Sequence, residues 1–173
     1  MTIPEIEAEI RALLARLNQP RPDFRLDRRT RGDGTPHLEG DGPIFDVVID
    51  ADGREQSRES ADGYEVVYIL MRRMTRIMAM REEERSRKVL TPGWLGDFGA
   101  RLPRPLALVV GQEDYSRETW IDAHVRLMDH LRGDWGGRVR DEHDRILRRY
   151  PLTADERRHT RRLDLTAYGL DPE

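Results

Sequence analysis

Chemistry in this chain has to come from carboxylates, histidines, serines and arginines, because cysteine is absent. That absence removes disulfides, thiolate metal sites and cysteine nucleophiles at once. Asp50, Asp52, Gly53 and Glu59 stand at the third, fifth, sixth and twelfth positions of a calcium-loop pattern. Its first position is Val48, which cannot ligate, and the flanks alternate like strands. A hairpin turn explains the same residues. The five histidines are scattered. His124 falls on the apolar face of a helical pattern, where a satisfied core histidine is expected. His130 and His143 could approach across a short turn, with Asp129 and Asp144 nearby, but a zinc site needs three or four converging ligands and no HExxH spacing occurs. Glu82, Glu83 and Glu84 read as a solvated helix face, with no partner that would mark an acid/base pair. Ser57, Ser60, Ser86 and Ser116 have no recognisable base and no GxSxG context. Neither a P-loop nor a dinucleotide fingerprint is present. These patterns assign no catalytic, cofactor or metal residues. An enzyme with an unrecognised site stays open as an alternative.

Arginine is the other candidate. Lys88 is the single lysine among thirty basic residues, and arginine forms bidentate contacts that lysine cannot. Arg138, Arg140, Arg145, Arg148 and Arg149 follow a short turn at Gly133, which invites a helix-turn-helix nucleic-acid-binding reading. Asp141, Glu142 and Asp144 on the same helix would oppose phosphates, and the formal charge of −3 lacks the basic excess of a nucleic-acid binder. An antiparallel helical hairpin explains the same spacing.

The elements that must position these groups are written in periodicity and turn chemistry. Ile6, Ile10, Leu13, Leu14 and Leu17 predict an amphipathic helix over 4–18, begun by Pro4 and stopped near Pro20. Asp-Gly pairs at 33–34, 41–42 and 52–53 frame an antiparallel meander over 36–60, with PIFDVVID as its middle strand. Asp62 and Glu65 form a capping pattern for a central helix whose broad stripe includes Val67, Leu70, Met71, Met74, Ile77 and Met78. Prolines and glycines break residues 89–111, where LALVV reads as a short buried strand and Trp94 and Phe98 as a lid. Two helices follow, Trp120 to Leu131 on one face and Trp135 to Tyr150 on the other, and Thr153 with Glu156 caps a last short helix. The expectation is one α+β domain over 1–173, with three or four main helices, a small antiparallel sheet and a loose tail after about 164. The N-terminus carries acids every few residues, unlike a signal peptide, and no run is long enough for a membrane span, so the expected location is cytoplasmic.

The run QEDYSRETWIDAHVRLMDHLRGDWGGRVRDEHDRILRRYPL resembles the C-terminal half of the bacterial polymorphic-toxin immunity protein 63 family. Asp114-Tyr115, Arg117, Leu127, Leu131, Trp135, Arg138, Ile146-Leu147 and Tyr150-Pro151 stand where members place an acidic-aromatic step, an arginine, a leucine-rich helix end, a tryptophan and a basic helix closing at proline. The order of the earlier elements is similar, so the resemblance covers most of residues 3–152. The chain departs from the family at 89–111, which looks like an insertion, and at Gly136 and Gly137, where glycine costs roughly 1 kcal/mol each in a first helical turn.

What the resemblance implies is a cytoplasmic non-enzyme that binds and blocks a cognate toxin made by the same or neighbouring cells. It implies no cofactor, and neither nucleic acid nor membrane as a partner. Such a surface needs a few aromatic or arginine anchors ringed by polar contacts. Trp94, Phe98, Tyr115 and Arg117 are the toxin-binding candidates. Packing explains Tyr115 better, while Trp94 and Phe98 lie in the insertion-like segment.

Overall fold

The computed structural model describes residues 1–171. Helix α1 (Ile3–Arg16) opens the chain, with the Glu5 carboxylate accepting from the Thr2 amide at 2.7 Å. A three-stranded antiparallel meander follows in the order β1 (Asp33–Glu39), β2 (Ile44–Ala51), β3 (Arg54–Asp62). Asp52 (φ 53°) and Gly53 (φ 71°) form the β2–β3 turn, so the calcium-like spacing is a tight hairpin whose positive φ needs these residue types. Helix α2 (Gly63–Ser86) is capped by Asp62, which accepts from the Glu65 amide at 2.9 Å. Glu65 does not reach back to the cap; it forms an ion pair with Arg138.

The ribbon β4 (Val89–Leu90) and β5 (Gln112–Glu113) brackets two short helices, α3 (Gly96–Ala100) and α4 (Arg104–Val110). Then come α5 (Arg117–Leu131), α6 (Gly133–Arg149) and α7 (Ala154–Arg158). The architecture is α+β, as expected, but with seven helices among the described residues where three or four main ones were expected. Four have fourteen residues or more, α7 is the short helix expected after Thr153, and α3 and α4 are the additions. LALVV lies in α4, not in a strand. Pro105 fits a first helical turn, where its fixed φ is compatible and its missing amide hydrogen costs nothing.

One hydrophobic core joins α1 (Ile6, Ile10, Leu14), the sheet (Leu38, Phe45, Val47), α2 (Val66, Val67, Leu70, Met71), α5 (Leu127, Met128, Leu131) and α6 (Trp135, Val139). Beyond Met71 the central helix is covered from fewer sides. Thr75, Ala79 and Glu83 continue a narrow buried row, while Ile77, expected inside, is 44% exposed. The described part of the tail packs down, against the expectation of a loose end: Leu163, Leu165 and Tyr168 join the core, and the Tyr168 hydroxyl donates to Glu82 at 3.0 Å. Burying three large side chains offsets the entropy of ordering that stretch.

Helices α5 and α6 meet at a one-residue junction, Arg132. Arg140 pairs with Glu118, and His143 stands beside both Trp120 and His124, so the two helices run antiparallel. Gly136 lies where the helices approach most tightly, since a Cβ there would come within 2.7 Å of Asp129 Cβ. Its low helix propensity therefore has a steric reason. Nothing in the structure explains Gly137.

Candidate functional site

Fifteen large apolar side chains are exposed among the described residues, and seven of them fall between Leu90 and Val110. Trp94 is 78% exposed, Phe98 66% and Val109 80%. In α4 only Ala107 is buried. The core passes from Ala79 directly to Trp120 in sequence among the described residues, so none of those in this excursion joins it. Apolar surface concentrated in this way is the kind that contact sites for other molecules use.

The root of the excursion is fixed firmly. Backbone pairing joins Val89 to Glu113 and Leu90 to Gln112. Below it, the Asp114 amide donates to the Lys88 carbonyl at 3.0 Å, and the Lys88 amide donates to Asp114 Oδ1 at 2.6 Å. Glu83, expected on a solvated face, is completely buried here. Arg87 donates to Glu83 Oε2 through Nε at 2.8 Å and reaches Glu113 through Nη1 at 2.9 Å. Arg161 comes from the tail, donating to the Asp114 carbonyl at 2.7 Å and the Ser86 hydroxyl at 2.9 Å, with Glu83 Oε1 3.6 Å away. A buried carboxylate is tolerable only with such partners.

The other two sequence candidates occupy different environments. Tyr115 is 37% exposed rather than enclosed, with the Arg87 guanidinium 4.8 Å from its ring centre. Arg117 is committed inside the molecule: Nε and Nη2 donate to Glu156 at 2.5 and 2.9 Å, while Nη1 and Nη2 donate to the carbonyls of Tyr150 and Pro151. Those bonds, with the Thr153 amide, hold the Glu156 carboxyl down at about 2. Arg117 thus clamps α7 against the end of α6. The structure brings Trp94 and Phe98 onto one excursion and puts Tyr115 just past its root.

A separate cleft of about 380 Å³ opens between the β2–β3 face, α2 and α6, lined in part by Ile49, Ser57, Glu59, Arg72, Arg76 and His143. Its inner wall holds two histidines in contact. His124 Nδ1 lies 2.9 Å from His143 Nε2, and His124 Nε2 lies 3.0 Å from the Arg72 carbonyl. The carbonyl can only accept, so His124 donates from Nε2 and accepts from His143. Burial pushes His124 down to about 3, helped by the neighbouring His143. Burial, then Arg76, pushes His143 down to about 4. His124 is the satisfied core histidine the sequence suggested. Its partner is His143, which does not meet His130. Among the described residues no group of three or more histidines and carboxylates is arranged to hold a metal.

The pair carries a pH signature. Unfolded histidines bind protons near 6.5, whereas these bind only near 4 and 3 in the folded chain. The unfolded state therefore takes up more protons as pH drops below 6.5, and stability falls with it. The melting temperature should decline from pH 7 to 5, above the carboxylate range. The decline should be shallower in His143→Asn, and identical slopes would refute the assignment.

No helix among the described residues is long and apolar enough to cross a membrane. A family model described as Immunity protein 63 matches residues 41–145, more than half of the chain, from the β1–β2 turn into α6. No curated protein and no solved structure matches it.

Proposed function

Because the chain belongs to the immunity protein 63 family, we propose that it binds a cognate toxin in the cytoplasm and silences it stoichiometrically. In this reading the contact surface is the 89–111 excursion, with Trp94 and Phe98 as anchors and Tyr115 at its edge. The observation that carries it is the exposure of Trp94 and Phe98 on a segment tied at its root by β4–β5 pairing and by Glu113, which takes both Arg87 and Arg104. Fixed ends lower the ordering cost of binding, which is what lets a few apolar anchors decide affinity. Covering the Trp94 ring contributes roughly 3 kcal/mol before association costs.

Two other readings are less well supported. The α5–α6 pair is an antiparallel hairpin, and Arg138 and Arg140 are already engaged by Glu65 and Glu118, which leaves α6 poorly suited to read DNA. The cleft histidines would suit an enzyme if one were poised near neutrality. Their lowered values keep both neutral there instead.

Co-expression with the polymorphic toxin encoded beside this chain tests the proposal. Cells should survive, and a one-to-one complex should co-purify. Trp94→Asp combined with Phe98→Asp should weaken that complex by at least ~30-fold while leaving the melting temperature unchanged, because neither ring supports the core. Survival no better than in cells lacking the chain, with no complex, would overturn the toxin reading.

A further inference from the structure

The cleft between sheet and helices has an electrostatic feature that the fold does not use. Arginines on α6 are matched with carboxylates, Arg138 with Glu65 and Arg140 with Glu118, and of the three that line the cleft Arg72 is matched with Glu142 at 2.9 Å. Glu142 also accepts from the Tyr68 hydroxyl at 3.0 Å, and Glu59 lies 3.8 Å from Arg72. The two carboxylates in the cleft lining are therefore drawn to Arg72. Among the described residues Arg73 meets only the Gly34 carbonyl, at 2.9 Å. Arg76, one helical turn along the same face of α2, has no carboxylate partner among the described residues; its guanidinium lies 5.4 Å from the Trp120 ring centre. The histidines behind it are neutral near pH 7 and add no positive charge of their own.

We propose that this cleft receives an acidic side chain of the toxin, gripped by Arg76 with Arg73 beside it. The step rests on the toxin-binding reading and adds a second contact, on the face formed by α2 and α6. Stacking on Trp120 holds the Arg76 fork in place before any partner arrives, so little rotamer freedom is lost when a carboxylate docks bidentately. The surroundings suit a protein loop. Ile49 and Ile146 (53% exposed) line the same cleft and put apolar surface beside the charge, the arrangement of a desolvated anchor inside a contact patch. Solvent exclusion by those side chains would strengthen the ion pair beyond its worth in open water.

Titration calorimetry with the purified toxin domain encoded beside this chain tests it. Arg76→Glu should weaken binding by at least ~30-fold, and Arg76→Gln by about 10-fold. Arg157→Glu on the exposed face of α7 makes the same change in net charge and should stay within about 3-fold. Melting temperatures of all three should match the parent. If Arg76→Glu lowers its own melting temperature, Arg76→Gln decides. A carboxylate-to-arginine change in the toxin that restores affinity to Arg76→Glu would identify the residue gripped. Equal effects of Arg76→Glu and Arg157→Glu overturn the cleft proposal and leave the toxin reading standing. Failure of the parent protein itself to bind overturns both.

Discussion

Trp135→Ala is expected to lower the unfolding free energy by about 3 to 5 kcal/mol. The side chain is fully buried at the first turn of α6. Its indole nitrogen donates to the Tyr64 hydroxyl at 2.9 Å, and its ring meets those of Tyr64 and Tyr68 edge-on at 6.0 and 5.4 Å. Arg132 lies over the same ring, and Arg138 lies over Tyr68. Truncation therefore removes the apolar burial, takes the indole donor from the Tyr64 hydroxyl, which keeps Asp134 at 3.2 Å, and opens a cavity where α2 meets the α5–α6 hairpin. Against a typical total of 5 to 15 kcal/mol that is a large fraction, and a drop in melting temperature of about 10 °C or more should accompany it. Trp135→Phe keeps most of the volume and should cost less than half as much. Urea unfolding followed by circular dichroism measures both. An alanine variant with a near-parental midpoint would show that Trp135 is not a keystone of the hairpin.

Trp135 was legible in the sequence, and the reasons show where such reading works. It stands at helical spacing from Val139 behind a helix-starting acid, and that periodicity requires a buried face whatever lies opposite. The same logic recovered α1, the β2–β3 hairpin, the Asp62 cap and the Thr153–Glu156 capping box. It failed wherever the partner is remote in the chain. Glu83 sits in an acidic run that looks solvated, yet Arg161 of the tail stands over it, 78 residues away. Tyr168 looked loose because its partner Glu82 is equally remote. The His124–His143 contact depends on the register of the hairpin, which spacing within either helix leaves undetermined. In the candidate site the signal was mixed. Trp94 and Phe98 do not pack down as a lid: a segment broken by proline and glycine has no periodic face to hide them, and they stand exposed. LALVV was misread because a short apolar run suits a buried strand and an exposed helical turn alike.

Glu83→Ala is the second large effect, about 3 kcal/mol of destabilisation. The carboxylate is inaccessible to water, and removing it leaves Arg87 and Arg161 facing each other without their shared counter-charge. Both guanidiniums retain other acceptors, Glu113 for Arg87 and the Asp114 carbonyl for Arg161, and both are about a quarter exposed, which places the cost at the low end of that for a broken buried pair. Glu83→Gln should cost less, since an amide oxygen can still accept from Arg87. A double-mutant cycle with Arg161→Met should show coupling above 1 kcal/mol, and additive effects would refute the network. The consequence reaches the candidate surface. Arg87 joins α2 to Glu113 on β5, and Arg161 joins the tail to Asp114 one residue later, so Glu83 holds together the cations that anchor the excursion's root. Hydrogen exchange at Val89, Leu90, Gln112 and Glu113 should therefore speed up in Glu83→Ala more than at the β2–β3 ladder. On the proposed toxin-binding reading, an excursion with a looser root loses more entropy on docking, so affinity for the toxin should fall although no proposed contact residue has changed.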